Sequence, residues 1–232
     1  MPPVIPQVLR RLLLPVAVLF GVMVGLGLLA TKVANDAWPL TVEDDINRDF
    51  EAHRTAPLNV ISEIVSLIGS TPVIIAVTGV AAVILRLKLG RWREPLFLCL
   101  AVTAQALVFF FTTLVIDRER PAVHRMDDSP PTSSFPSGHT SAAVALYVGL
   151  ALLLFTLLHQ TWAKRLAWLL VLVPVAVACA RLYRGMHHPT DVTASFLNGI
   201  TCVVIMAREI LNRAVRWAVP QRFRLSSRKV AH

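Results

Sequence analysis

Arg120-Pro121 is followed by Pro136-Ser137-Gly138-His139, and then by Arg181, His187 and Asp191. Five residues separate Arg181 from His187, and three separate His187 from Asp191. These are the parts that a metal-free phosphoryl-transfer site needs. Arginine forks and the amides of a Ser-Gly turn hold phosphate oxygens. One histidine can attack phosphorus while the other protonates the leaving oxygen.

The three blocks resemble those of the type 2 phosphatidic acid phosphatase superfamily. That family carries Lys-x6-Arg-Pro, Pro-Ser-Gly-His and Ser-Arg-x5-His-x3-Asp. Here they read Thr113…Arg120-Pro121, Pro136-Ser137-Gly138-His139 and Ala180-Arg181…His187…Asp191. Order and spacing are kept over residues 113–191, with Thr113 in place of the family Lys and Ala180 in place of the Ser. The resemblance implies an integral membrane phosphatase acting on lipid phosphomonoesters or diphosphates through a phosphohistidine, with no cofactor. Polyprenyl diphosphate, phosphatidate, phosphatidylglycerophosphate and diacylglycerol diphosphate are the implied substrates, and a carrier-lipid diphosphate is the first choice.

Chemistry assigns the roles, and the resemblance gives the same catalytic assignment. Neutral imidazole is nucleophilic near neutral pH, so His187 attacks. Asp191, one helical turn on, holds a ring N–H and stabilises the developing charge. His139 acts as general acid and later as base toward water. Arg120 and Arg181 present planar forks to phosphate. Ser137 and Gly138 open a helix whose amides, with the Ser hydroxyl, take phosphate oxygens; a plain N-cap would look the same in sequence. Arg118 either contacts phosphate or pairs with Glu119 or Asp117. Loss of the family Lys at Thr113 removes a charge-assisted bond of ~1.5–3 kcal/mol, roughly ten- to a hundredfold in rate or affinity. Arg118 is the candidate substitute. Arg184 reads as a solvated or ion-paired arginine, and His188 has no assigned role. Three other readings stand beside hydrolysis: a phosphotransferase with the same intermediate, a non-catalytic lipid-binding or transport relic, and metal ligation by His139, His187, His188 and Asp191. The adjacent arginines argue against a dication.

A helical membrane bundle must position these residues. Hydrophobic types make up 55% of the 232 residues and charged types 16%. Six apolar stretches approach the ~20 residues of a membrane helix: residues 12–30, 72–87, 96–116, 141–158, 166–180 and 192–207. The expected fold is therefore all-α, a single domain over 1–232 with six spans. The first stretch is longer than a signal-peptide core and lacks a clear cleavage site, so it reads as a retained span.

Charge sets the expected orientation. Arg10, Arg11, Arg86, Lys88, Arg91, Arg93, Lys164, Arg165 and the basic tail of about 208–232 fall on one side, the cytoplasmic one by the positive-inside bias. Both termini are then cytoplasmic, and the motif blocks gather at the extracytoplasmic ends of spans three to six in the cell membrane. The other side holds Asp36, Glu43, Asp44, Asp45, Asp49, Glu51, Asp127 and Asp128. The net charge of +9 thus reads as orientation and attraction to anionic membrane lipids, not as nucleic-acid binding. Residues 41–53 suggest a short surface helix, and residues 60–68 an interfacial or re-entrant one. Trp38, Leu40 and Phe50 read as interfacial anchors or as lining of a lipid portal. Cys99, Cys179 and Cys202 have no close pair and read as small packing residues. Oligomeric state is not legible.

Overall fold

In hydrocarbon a helix satisfies its own backbone groups, so long apolar runs fold as spanning helices. The computed structural model describes residues 4–33, 37, 38, 40–128 and 132–212. Among them are six helices long and apolar enough to cross a membrane: α1 (Pro6–Val33), α4 (Thr71–Leu89), α5 (Arg93–Val115), α6 (Gly138–Leu157), α7 (Thr161–Tyr183) and α8 (Pro189–Leu211). Between the first two lie α2 (Glu43–Ala52) and α3 (Ala56–Ile68). No strand occurs among the described residues. Asp36, Pro130, Pro131 and the tail from residue 213 lie outside them.

Most helices overrun the apolar stretches that announce them, because hydrogen bonding continues past the last lipid-facing residue. The stretch 166–180 becomes the 23-residue α7. α7 tightens into a turn at Leu170 and Val171. Pro174 follows and lacks the amide that would bond Leu170 in a regular helix.

α6 is the most enclosed span and packs against α5, α7 and α8. Phe97, Leu98 and Ala101 of α5, Leu146 of α6, Cys202 of α8 and Met23 of α1 are buried in one core. Cys202 packs there as expected, whereas Cys179 is exposed and Cys99 only half-buried. The outer surface is apolar, with Val18, Ile75, Val83, Phe110, Trp168 and Val204 exposed. That is the inverse of a water-facing bundle and suits lipid.

α3 is built the same way on a smaller scale. Ser62 and Ser66 are buried against α7, while Val60, Ile61, Ile64 and Leu67 are exposed. α2 is more than a surface helix, because its Glu43 and Asn47 are buried.

The two ends of the bundle differ. At one end Arg93 Nε donates to the Ile210 carbonyl at 2.7 Å, and Arg11 pairs with Glu209 at 3.9 Å. The Arg86–Arg93 turn belongs to that end. At the other end α5 finishes, α6 starts, α7 finishes and α8 starts, with α2 and the described parts of the connection, residues 116–128 and 132–137, beside them. All three motif blocks lie there.

Candidate active site

His187 sits between α7 and α8, where α7 must stop sharply. Gly185 provides the stop with φ 68°. Its left-handed backbone lets the Met186 amide return to the Arg181 carbonyl at 3.1 Å. A Cβ at Gly185 would lie 2.7 Å from Val123, so the close approach also demands glycine. The turn delivers His187 into the bundle, 4% exposed.

The ring is held by two groups. Its Nδ1 lies 2.8 Å from the Ser134 main-chain carbonyl and 3.8 Å from Asp191 Oδ2. A carbonyl only accepts, so Nδ1 carries the hydrogen and Nε2 keeps its lone pair. Burial lowers the proton affinity of the imidazole from its ordinary value, against the pull of Asp191. The buried ring therefore favours the neutral, nucleophilic form. Asp191 is the expected neighbour, but Ser134 is the nearer orienting partner.

Asp191 is fully buried and doubly engaged. Oδ2 accepts the His188 amide at 2.8 Å, capping α8, and Oδ1 accepts from Arg118 Nη1. Arg118 Nη1 also donates to Thr190 Oγ1 at 2.7 Å, and Nη2 donates to Glu43 at 2.6 Å. Arg118 is ion-paired in the structure. Its partners are Glu43 and Asp191 rather than Glu119 or Asp117.

Most of the remaining residues meet in a cavity of about 690 Å³. Arg120, Gly138, His139, Arg181 and His187 line one part of it. Ile74, Ile75, Val102, Phe109 and Phe110 of α4 and α5 line another. Arg120 donates to the Met186 carbonyl at 2.7 Å. Burial, and then the charge of Arg125, lowers its proton affinity from the ordinary arginine value. Arg181 Nη1 donates to Ser66 Oγ at 2.9 Å and to Asp127 at 2.7 Å. Its Nε is buried with no partner among the described residues. Burial raises the proton affinity of Asp127, but its bonds to Arg184 and Arg181 outweigh this and lower it overall.

The Pro-Ser-Gly-His block divides its work. Ser137 is fully buried and caps α6: its Oγ accepts the Thr140 amide at 3.4 Å and lies 3.0 Å from Thr140 Oγ1. Its own amide donates to Ser195 Oγ at 2.7 Å. The Ser137 hydroxyl thus performs the N-cap role and does not line the cavity. Gly138 and His139, the first two residues of α6, carry amides with no acceptor among the described residues. A Cβ at Gly138 would lie 2.8 Å from the Phe109 ring, so a larger residue there would have to displace that ring.

Thr113 is half-buried and donates to the Phe110 carbonyl at 2.8 Å, outside the cavity wall. Arg184, the expected ion-paired arginine, bonds Asp127, Met126 and Asn59. Sequence patterning did not single out Glu43, Ser66, Asp127 or Ser134 for the site. The advance signal was the set of acids assigned to one side, Glu43 before the second span and Asp127 after the third. Among the described residues no three His, Cys, Asp or Glu side chains converge as a metal ion requires.

A model of the PAP2 superfamily matches residues 73–214, more than half of the chain. Bacitracin transport permease protein BcrC of Bacillus licheniformis is 34% identical over 80 residues, 34% of this chain and 35% of that protein. Undecaprenyl-diphosphatase BcrC of Bacillus subtilis (strain 168) is 29% identical over 101 residues, 42% of this chain and 48% of that protein. The chain thus spans about a third to a half of the length of these relatives. The fold is similar to the crystal structure of a transmembrane PAP2-type phosphatidylglycerolphosphate phosphatase from Bacillus subtilis. There the TM-score is 0.73 at 21% identity, covering 85% of this chain and 98% of that one. LpxE of Aquifex aeolicus gives a TM-score of 0.57 at 23% identity, covering 72% and 95%.

Proposed function

The chain belongs to the PAP2 superfamily, and on that premise we propose that it is a membrane phosphatase acting on lipid phosphomonoesters or diphosphates through a phosphohistidine at His187. The observation that carries this reading is the joint placement of His187, His139, Arg120 and Arg181 on a cavity with an apolar wall.

The proposed first step is attack by His187 Nε2 on phosphorus. The N–P bond forms as the bond to the leaving oxygen breaks, and His139 gives that oxygen its proton. Charge on the other phosphate oxygens is met by Arg120, by Arg181 and by the Gly138 and His139 amides. The Ser134 carbonyl and Asp191 stabilise the ring while it carries positive charge. In the second step His139 takes a proton from water, water attacks phosphorus, and phosphate leaves neutral His187. Asp127 shares Arg181 before substrate arrives, so phosphate binding competes with or adds to that pair.

The apolar wall suits the chain of a lipid phosphate, with its phosphate end at the histidines. The name of the BcrC relative that is an undecaprenyl-diphosphatase supports a polyprenyl diphosphate as the first substrate to test. Phosphatidylglycerophosphate and phosphatidate follow it. The site end carries Glu43, Asp44, Asp45, Asp49, Glu51 and Asp127, while Arg86, Lys88, Arg91 and Arg93 lie at the opposite end. By the positive-inside bias this supports an extracytoplasmic site, cytoplasmic termini and one membrane domain.

Phosphate release from a panel of lipid phosphates in detergent, with His187→Ala as control, tests the reading. Release that survives EDTA and vanishes in the variant is expected. Transfer of the phosphoryl group to an acceptor alcohol with no free phosphate would instead make the chain a transferase. Lipid binding without turnover would contradict catalysis.

A further inference from the structure

Glu43 lies on α2, outside the residues that the family model matches, yet its side chain is only 3% exposed. It accepts from Arg118 Nη2 at 2.6 Å, from the Thr190 amide at 2.7 Å and from Thr190 Oγ1 at 3.1 Å. Arg118 bridges it to Asp191, which faces His187. A buried line of alternating charge, Glu43–Arg118–Asp191, therefore ends at the attacking ring.

The second carboxylate answers an electrostatic problem. A lone Arg118–Asp191 pair would place no net charge behind His187. The ring becomes positive when Nε2 bonds phosphorus while Nδ1 keeps its hydrogen. A neutral pair would stabilise that ring weakly, whereas two carboxylates around one guanidinium leave a net negative charge there. Glu43 also holds the start of α8 through Thr190, where a negative group suits the helix dipole. One contact thus joins α2, the connection after α5 and the helix that carries Asp191.

We infer that Glu43 is a positioning residue for the reaction at His187, acting through Arg118 to fix Asp191 and keep net negative charge behind the imidazole. This rests on the phosphohistidine reading above. The charged and titratable groups around His187 are Asp191 on α8, His188 just before it, Arg181 on α7, His139 on α6, and Arg118 and Arg120 on the connection after α5. Glu43 stands behind Arg118, and Asp127 beside Arg181.

The test measures kcat, KM and the acid limb of kcat/KM on the purified full-length protein with a lipid phosphate in detergent. Glu43→Gln should lower kcat roughly ten- to a hundredfold, the scale of one charge-assisted hydrogen bond, with KM changed by less than about threefold. It should also move the acid limb to lower pH, because less negative charge favours the unprotonated ring. Glu43→Asp should recover part of both. Arg118→Gln should move the limb the opposite way, to higher pH, since two carboxylates then lie uncompensated. Mere loosening of the fold would not give opposite shifts. An unmoved limb, shifts of the same sign, or unaltered kcat in Glu43→Gln overturns the inference. So does a change confined to KM in Arg118→Gln, which would make Arg118 a phosphate ligand. If Glu43→Gln does not fold, the sign of the Arg118→Gln shift decides. No turnover by the unaltered protein would overturn the reaction and the inference with it. Turnover with the contrary shifts would overturn the inference alone.

Discussion

Asp191→Asn separates two tasks that a carboxylate behind a nucleophilic histidine commonly combines, choosing the tautomer and stabilising the charge. Here the Ser134 carbonyl accepts Nδ1–H at 2.8 Å, while Asp191 Oδ2 stands at 3.8 Å. The substitution should therefore leave the attacking tautomer in place and remove only the charge. Two unit charges 3.8 Å apart interact by about 4 kcal/mol at an effective dielectric of ~20. That is an upper figure, because Arg118 is bonded to the other Asp191 oxygen. A remaining loss of about 2–4 kcal/mol corresponds to roughly thirty- to a thousandfold in kcat. The new amide also sets an NH₂ against either the His188 amide or Arg118, so stability should fall by about 1–3 kcal/mol. The assay is phosphate release at saturating lipid, below the measured Tm of the variant, with His187→Ala as the inactive reference. If the Asn variant is as dead as His187→Ala, the carbonyl does not hold the tautomer and the reasoning fails. A loss below about tenfold would show that the Asp191 charge is not felt at the ring.

Three further outcomes follow from the same geometry. Burial lowers the proton affinity of His187 from its ordinary value of 6.5, so protonation moves to lower pH and kcat/KM should hold as pH falls through 6.5. An acid limb at or above 6.5 would contradict the buried neutral nucleophile. Gly185→Ala forces a Cβ into left-handed backbone 2.7 Å from Val123 and should cost about 1–3 kcal/mol, read as a lower Tm; an unchanged Tm would contradict the turn. Single cysteines at the exposed Asp45 and Lys88, in a Cys-free background, should differ in labelling by an impermeant reagent on intact cells, with only position 45 reacting. Labelling at position 88 alone would reverse the orientation.

The order Arg120, His139, Arg181, His187 and Asp191 announced the candidate site, because motif chemistry is written in side chains at fixed spacing. The six spans were legible for the same kind of reason, since lipid demands long apolar runs. Their ends were less so: α7 reaches from Thr161 to Tyr183 and takes in Arg181, which hydropathy alone counts against a helix. Ser134 was not legible, because it acts through a main-chain carbonyl that any residue possesses. Glu43 and Asp127 were visible as acids but not as partners. Glu43 meets Arg118 across 75 positions of sequence, and only the fold brings them together. Arg118 shows the same limit in reverse. Local sequence offered Glu119 and Asp117 as partners, while burial favoured carboxylates inside the bundle. Ser137 has one pattern and two uses, and the contacts observed, beside Thr140, are those of the cap.

The central claim is a covalent bond between phosphorus and His187 Nε2. Rapid acid-free quenching of the protein with a radiolabelled polyprenyl diphosphate, followed by peptide mapping, tests it directly. The expected result is an acid-labile, base-stable label on the peptide containing His187, formed within one turnover and absent from His187→Ala. Label on another residue, or steady phosphate release by His187→Ala, would contradict the account.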